Sequence, residues 1–339
     1  MKINLKSLTP VELNYLVVKQ GLSPFRARQI WHWIYDKKAF SLDEITELSR
    51  NVRTELSRFS YVSNIVLLKR EKSQDETEKF LWQLEDGETI ESVLIPEDKR
   101  LTLCISSQVG CAMVCRFCLT GLRGFQRNLT FYEIVDQILS VQRLLDEGRR
   151  LSNIVLMGMG EPLNNFDEVT KALSIIYETL GFSKRKVTLS TVGIVPGIEK
   201  LSKSIPGVNL AISLNATTDS VRDWIMPVNR RYPIRELLHA CQNYHLSPGR
   251  RIAFEYVLLK GINDSPRDAQ RLVSILKRKQ AKINLIPFNP FPGTEFQKSS
   301  DENLAAFQKI LINSNMTAII RKSRGADISA ACGLLQGCG

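Results

Sequence analysis

Beyond residue 100 the hydrophobic positions fall into short continuous runs, and the stretches between them repeat apolar residues every three or four positions. Such a pattern predicts strands alternating with amphipathic helices. Strands are expected over 101–106 (LTLCIS), 153–158 (NIVLMG), 186–191 (KVTLST), 208–214 (VNLAISL), 252–259 (IAFEYVLL) and 283–288 (INLIPF). The first intervening helix opens on a capping box, Thr130 with Glu133 three residues on. A helix over 301–313 and a strand over 316–321 lead into the tail RKSRGADISAACGLLQGCG. Alternation of this kind builds a parallel sheet, and six strands are too few for an eightfold barrel. The expected fold class is α/β, a partial (βα)6 barrel over 101–339 with its site at the carboxyl ends of the strands.

The first hundred residues follow other rules. Residues 1–58 read as a small helical domain, in which Ser23-Pro24 starts a helix carrying Ile30, Trp33 and Ile34 on one side. Residues 59–100 read as a β-hairpin extension, FLWQL and ESVLIP joined across Asp86-Gly87. The barrel pattern also makes a claim about polar residues. Gly160-Glu161-Pro162, Ser190, Ser213 with Asn215, and Asn289 all stand at or just past strand ends, and should face one crevice.

Composition sharpens this picture in two places. The net charge of +11 in 339 residues is unevenly spread: +4 on 1–58, −4 on 59–100 and +11 on 101–339, as expected of a body that grips a polyanion. Arg26, Arg28, Lys37 and Lys38 give the helical domain a basic face, and Phe125 between Arg123 and Arg127 offers stacking beside phosphate contacts; Phe25, Trp31 and Trp33 read as core. No stretch reaches the roughly 18 apolar residues of a membrane span, and the N-terminus lacks a signal-peptide pattern, so a cytoplasmic, reducing setting is expected.

Seven cysteines stand at 104, 111, 115, 118, 241, 332 and 338, an odd number with three inside eight residues. A disulfide framework is excluded. Cys111-Ala-Met-Val-Cys115-Arg-Phe-Cys118 is a C-x3-C-x2-C loop after the first barrel strand. Three thiolates on one short loop can hold three irons of a [4Fe–4S] cluster and leave the fourth iron open. The alternative is structural zinc with Cys104 as fourth ligand, in a non-catalytic RNA-binding module. Cys241 reads as core, and Cys338, six residues past Cys332, is a tail cysteine without an assigned role. The three histidines show no ligand spacing.

The cysteine loop with its aromatic before the last Cys, and the GMGEP run, resemble the radical S-adenosylmethionine superfamily. SSQVGCAMVCRFCLTGLRGFQRNLT, MGMGEPLNN, LSTVGIVPGI, ISLNA, PFNP and RGADISAACG together resemble its RlmN family of RNA adenine C2 methyltransferases. The resemblance implies a radical SAM-type barrel with a [4Fe–4S] cluster on Cys111, Cys115 and Cys118. It implies S-adenosylmethionine held by Gly160, Glu161, Ser190, Ser213, Leu214, Asn215 and Asn289. It makes Cys332 the methyl-carrying cysteine, Cys104 the resolving thiol and Glu91 a proton acceptor. The implied substrates are 23S ribosomal RNA at the peptidyl transferase centre and, in transfer RNA, the adenine 3′ to the anticodon. The implied helpers are an electron donor such as flavodoxin and a disulfide reductant, and the enzyme is expected to be a monomer. The rival within the superfamily is a Cfr-type adenine C8 methyltransferase; Val109 and the PFNP segment favour the RlmN branch.

Overall fold

The computed structural model describes residues 2–98, 100–277 and 280–337. Cys338 lies outside the described residues. The main sheet has ten strands, and their order in space is their order in sequence. They are β1 (Val66–Lys72), β2 (Glu78–Gln83), β3 (Thr89–Glu97), β4 (Arg100–Cys104), β5 (Asn153–Leu156), β6 (Val187–Thr191), β7 (Asn209–Ser213), β8 (Ile252–Leu258), β9 (Ala281–Pro287) and β10 (Ala318–Ile320). β1 to β4 pair antiparallel and β4 to β10 pair parallel. Residues 59–100 therefore do more than append a hairpin, since β3 hydrogen-bonds β4 and the extension continues the barrel wall.

The crossovers are helical. The first, α1 (Phe131–Leu144), keeps both arms of the Thr130–Glu133 capping box. It is followed by α2 (Phe166–Glu178), α3 (Val195–Ser204), α4 (Asp219–Ile225) with α5 (Ile234–Gln242), α6 (Pro266–Leu276) and α7 (Asp301–Asn313). Strand side chains alternate between two faces. Leu101, Leu103, Ile154, Leu189, Leu210, Ile212, Phe254 and Ile283 pack into one large core beneath the helices, where Cys241 is also buried. The opposite face carries Thr102, Cys104, Ser190, Ser213, Glu255 and Asn284. That face, polar and concave, is where chemistry has room.

The N-terminal unit holds three helices, Pro10–Lys19, Pro24–Tyr35 and Arg50–Phe59. Ser23 caps the second through the Phe25 amide. Trp31 and Trp33 pack against the core as expected. Phe25 does not: half its surface is exposed, and the Arg28 guanidinium lies 5.4 Å from its ring. Its place on the first turn, ahead of the buried Ala27 and Ile30, turns it outward. No helix among the described residues is long and apolar enough to cross a membrane.

Candidate active site

The cysteine loop is bracketed by a hairpin that the sequence pattern does not reveal, Gln108–Gly110 against Phe125–Asn128. Gly110 sits at φ 72° in the bulge, where a Cβ would lie 2.0 Å from the Gly124 carbonyl oxygen. The Cys111 amide donates to that carbonyl at 2.8 Å, closing the loop, and the Cys118 amide donates to Cys115 O at 3.1 Å. Cys115 is buried among Ile225, Met226, Phe288, Ala331 and Leu334. Burial pushes the Cys111 thiol up to about 12, and the neighbouring Cys118 and Glu161 push the same way. Cys115 is also raised, by burial first and then by both other thiols, with Arg222 opposing.

Cys118 opposes the ionisation of both Cys111 and Cys115, so for these to stand together as thiolates they need cations among them. The donor set therefore fits an iron–sulfur cubane, in which each thiolate takes its own iron. A single ion is less well served, because no three His, Cys, Asp or Glu side chains among the described residues converge on one point. Cys104 is not placed as a fourth ligand. It is buried on the inner face of β4, its sulfur accepts the Met157 amide, and the charge it senses is that of Cys332.

The rim beside the loop is built from the GMGEP turn. Gly160 has φ 99°, and a Cβ there would come 2.5 Å from Gln108 Cβ, so the residue must be glycine. Gln108 Oε1 accepts the Glu161 amide at 2.8 Å. Glu161 is buried, and its carboxylate accepts from Leu163 N at 3.0 Å and Val192 N at 2.8 Å. Burial nevertheless raises it to about 7. No Lys, Arg or His among the described residues forms an ion pair with it.

Ser190 and Ser213 sit half-buried on the inner face. Leu214 and Asn215 are used differently from a simple ligand contact. The Leu214 carbonyl accepts Arg222 Nε at 3.0 Å, and Asn215, at φ 56°, uses Oδ1 to accept the Val257 amide at 2.8 Å. What this turn presents to the crevice is positioned backbone. Arg222 is the residue that sequence reasoning missed here. It has no exposed surface and donates to Leu214 O, Ser213 O, Val192 O and Asn229 Oδ1, tying the ends of β6 and β7 together.

The tail returns across this rim. Gly325 N and Asp327 bond the β1–β2 turn through Asp75, Ser73 and Gln74. Gly333 O accepts the Leu119 amide, and Leu335 O accepts the Thr120 hydroxyl. Cys332 lies between these anchors, its carbonyl accepting Asn289 Nδ2 at 3.3 Å. Solvent reaches Cys332, yet protein crowds it closely enough that burial raises its thiol, helped by Glu255. Cys332 is thus solvent-accessible while flanked by Glu255, Cys118 and the Asn289 side chain. Glu255, a second residue not foreseen, is a buried carboxyl on β8, raised by burial and held by Asn284 Nδ2 at 2.7 Å. Glu91 is buried on β3 with Lys79 and the tail amides as its partners.

Two expected RNA contacts divide. Phe125 is exposed, 41% of its surface free. Arg127 is not available to phosphate, because it pairs with Asp86 at 2.6 Å and Glu133 at 2.9 Å, joining the β2–β3 turn to the cysteine hairpin. An open cleft lined by Arg250, Arg251 and Lys277 lies at the amino ends of β8 and β9, away from the cysteines.

Comparison with known proteins agrees with this geometry. Residues 105–273 match the model of the radical SAM superfamily, and residues 3–62 match the N-terminal domain of ribosomal RNA large subunit methyltransferases. The chain is 50% identical to the dual-specificity RNA methyltransferase RlmN of Pelobacter propionicus, covering 99% of this chain and 96% of that protein. It is 49% identical to the RlmN of Geobacter sulfurreducens, covering 99% and 92%. A radical SAM methyltransferase from Sphaerobacter thermophilus has the same fold, with a TM-score of 0.95 and 41% identity over 99% of this chain and all of that one. With half of its residues shared along nearly its whole length, and with the cysteine loop, the GMGEP turn and the returning tail all in place, the chain belongs to the RlmN family of the radical SAM superfamily.

Proposed function

We propose that this chain is an RNA methyltransferase that places a methyl group on C2 of adenine in 23S ribosomal RNA and in transfer RNA. The carrying observation is that Cys104, buried on the inner face of β4, is pushed up by burial and by the charge of Cys332, 228 positions away in sequence, while the returning tail holds Cys332 beside Asn289 and burial, Glu255 and Cys118 of the cysteine loop raise its thiol. The names of the RlmN relatives supply the substrate class.

Cys111, Cys115 and Cys118 would hold a [4Fe–4S] cluster, which when bound supplies the electron that cleaves S-adenosylmethionine to a 5′-deoxyadenosyl radical. Glu161 suits the methionine ammonium, because a buried carboxyl without a cationic partner gains by receiving one. Ser190, Ser213, Asn289 and the backbone at Gly160, Leu214 and Asn215 would line the rest of the cofactor.

Adenine C2 is electron-poor and does not displace a sulfonium methyl as a nucleophile. Cys332 does so in its place: its thiolate takes the methyl from one S-adenosylmethionine, giving a thioether. A hydrogen atom is then removed from that S-methyl group, and its carbon joins C2. The C2 proton passes to a base and one electron would return to the oxidised cluster that Cys111, Cys115 and Cys118 would hold, leaving RNA and protein covalently linked through the Cys332 sulfur. Cys104, whose thiol is pushed up by burial and by the charge of Cys332 with the Met157 amide opposing, attacks that sulfur as its thiolate. The sulfur–carbon bond breaks, the carbon takes a proton to become the new methyl, and a Cys104–Cys332 disulfide remains for reduction. The target base must be unstacked to reach this crevice.

The test uses anaerobically prepared, iron- and sulfide-loaded protein with reductant and S-adenosylmethionine. Its substrates are ribosomal and transfer RNA from cells lacking the modification. Nucleoside mass spectrometry should find 2-methyladenosine in both pools with the native protein and none with Cys332→Ala. Formation of 8-methyladenosine, or turnover by Cys332→Ala, would overturn the assignment.

A further inference from the structure

Resting on that reading, we infer that Glu91 is a positioning residue that clamps the Cys332-bearing tail, and that the proton acceptor for C2 is another group. Both carboxylate oxygens of Glu91 are taken. Oε1 pairs with Lys79 Nζ at 3.2 Å, while Oε2 accepts the amides of Gln336 at 2.7 Å and Gly337 at 3.3 Å. Lys79 is itself buried and held also by Glu71 at 3.4 Å, so the ammonium is fixed in place opposite the carboxylate. A base that must meet a carbon-bound proton needs an oxygen aimed at it, whereas three donors, two of them tail amides, orient this carboxylate toward Lys79 and the tail.

The same residue is placed to set the position of Cys332. Past Gly333 the tail is held by Thr120 at Leu335 and by Glu91 at Gln336 and Gly337, the last anchors among the described residues. Glu91 also reaches the cofactor rim through its backbone. Its carbonyl accepts the Ser106 hydroxyl at 2.6 Å, and Ser106 Oγ accepts the Met159 amide at 2.9 Å. One residue thus keys the cysteine tail to the GMGEP turn, fixing the thiol against the methyl donor.

A clamp and a base act at different times. In the proposed sequence the methylation of Cys332 precedes RNA and removes no C2 proton, so a clamp is needed for it and a base is not. With S-adenosylmethionine but no RNA, Glu91→Ala should slow Cys332 methylation on the order of tenfold, as expected for losing charge-assisted hydrogen bonds. In the protein as purified it should speed amide exchange in the peptide covering 333–337. Glu91→Gln keeps an oxygen for the tail amides but accepts no proton; it should methylate Cys332 within about threefold of the native rate. Gln336→Pro deletes the strongest donor and leaves Glu91 intact, so it should match Glu91→Ala, while Gln336→Ala keeps the amide and should be unaffected. The clamp is overturned if Glu91→Ala and Glu91→Gln both methylate Cys332 at the native rate and then stall as RNA adducts, or if Gln336→Pro turns over normally. Failure of the native protein to methylate Cys332 at all would instead count against the function itself.

Discussion

Arg222 holds four acceptors at the ends of β6 and β7 with no exposed surface, and its guanidinium charge lies close enough to Cys115 to ease that thiol's ionisation. Burial lowers it to about 10, still well above neutral pH, so it stays charged. The planar fork is what lets one side chain serve four acceptors, and an ammonium cannot reproduce it. Arg222→Lys should therefore leave at least one buried carbonyl unpaired, at about 1–3 kcal/mol each. It should unfold at lower urea and take up less iron and sulfide on reconstitution than the native protein. Native iron content in a destabilised Arg222→Lys would show that the guanidinium serves the fold alone. Neither Arg222 nor Glu255 was legible in sequence, because a charged residue in an amphipathic helix or strand reads as surface; their burial is created by the turn and the strand neighbours that surround them.

At the scale of elements, the barrel strands and their helices could be read directly, because apolar runs and signals such as Thr130-x-x-Glu133 and Asp86-Gly87 are local. The cysteine hairpin could not, since its strands are three and four residues long, largely polar, and separated by the loop they support. Arg127 was misplaced for a related reason: its partners Asp86 and Glu133 come from elements on either side of it in sequence, and only the fold brings both within reach. The cysteine positions were legible as a spacing, while the influence of Cys332 on Cys104 depends on the tail's return path. The GMGEP turn offers a sharp test of close packing. Gly160→Ala adds a Cβ at positive φ against Gln108 and should cost about 1–3 kcal/mol in strain. Displacing Gln108 should break its bond to the Glu161 amide and weaken S-adenosylmethionine binding, measurable by titration calorimetry; unchanged affinity would separate the turn from the cofactor site.

For the whole molecule, the N-terminal unit is fastened to the barrel by a buried ion pair, Lys6 with Asp136 of α1, each with 1% of its side chain exposed. Asp136 also accepts the Ile65 amide at 2.9 Å, and Lys6 donates to Asn64 at 3.0 Å. Removing one partner strands the other charge, so Asp136→Ala should lose about 3–5 kcal/mol of stability. The double variant Lys6→Met/Asp136→Leu should recover most of it. A double variant as unstable as the single would show that the pair is not what couples the two units. In the proposed chemistry two thiols act in turn on one substrate, and everything distinctive in it follows from their order. The direct test is to incubate reconstituted Cys104→Ala anaerobically with reductant, S-adenosylmethionine and unmodified RNA, and to resolve the products on a denaturing gel followed by mass spectrometry. The expected result is a covalent protein–RNA species joined through Cys332 and its methylene carbon, with little free 2-methyladenosine. Normal release of methylated RNA by Cys104→Ala, with no adduct, would contradict the account.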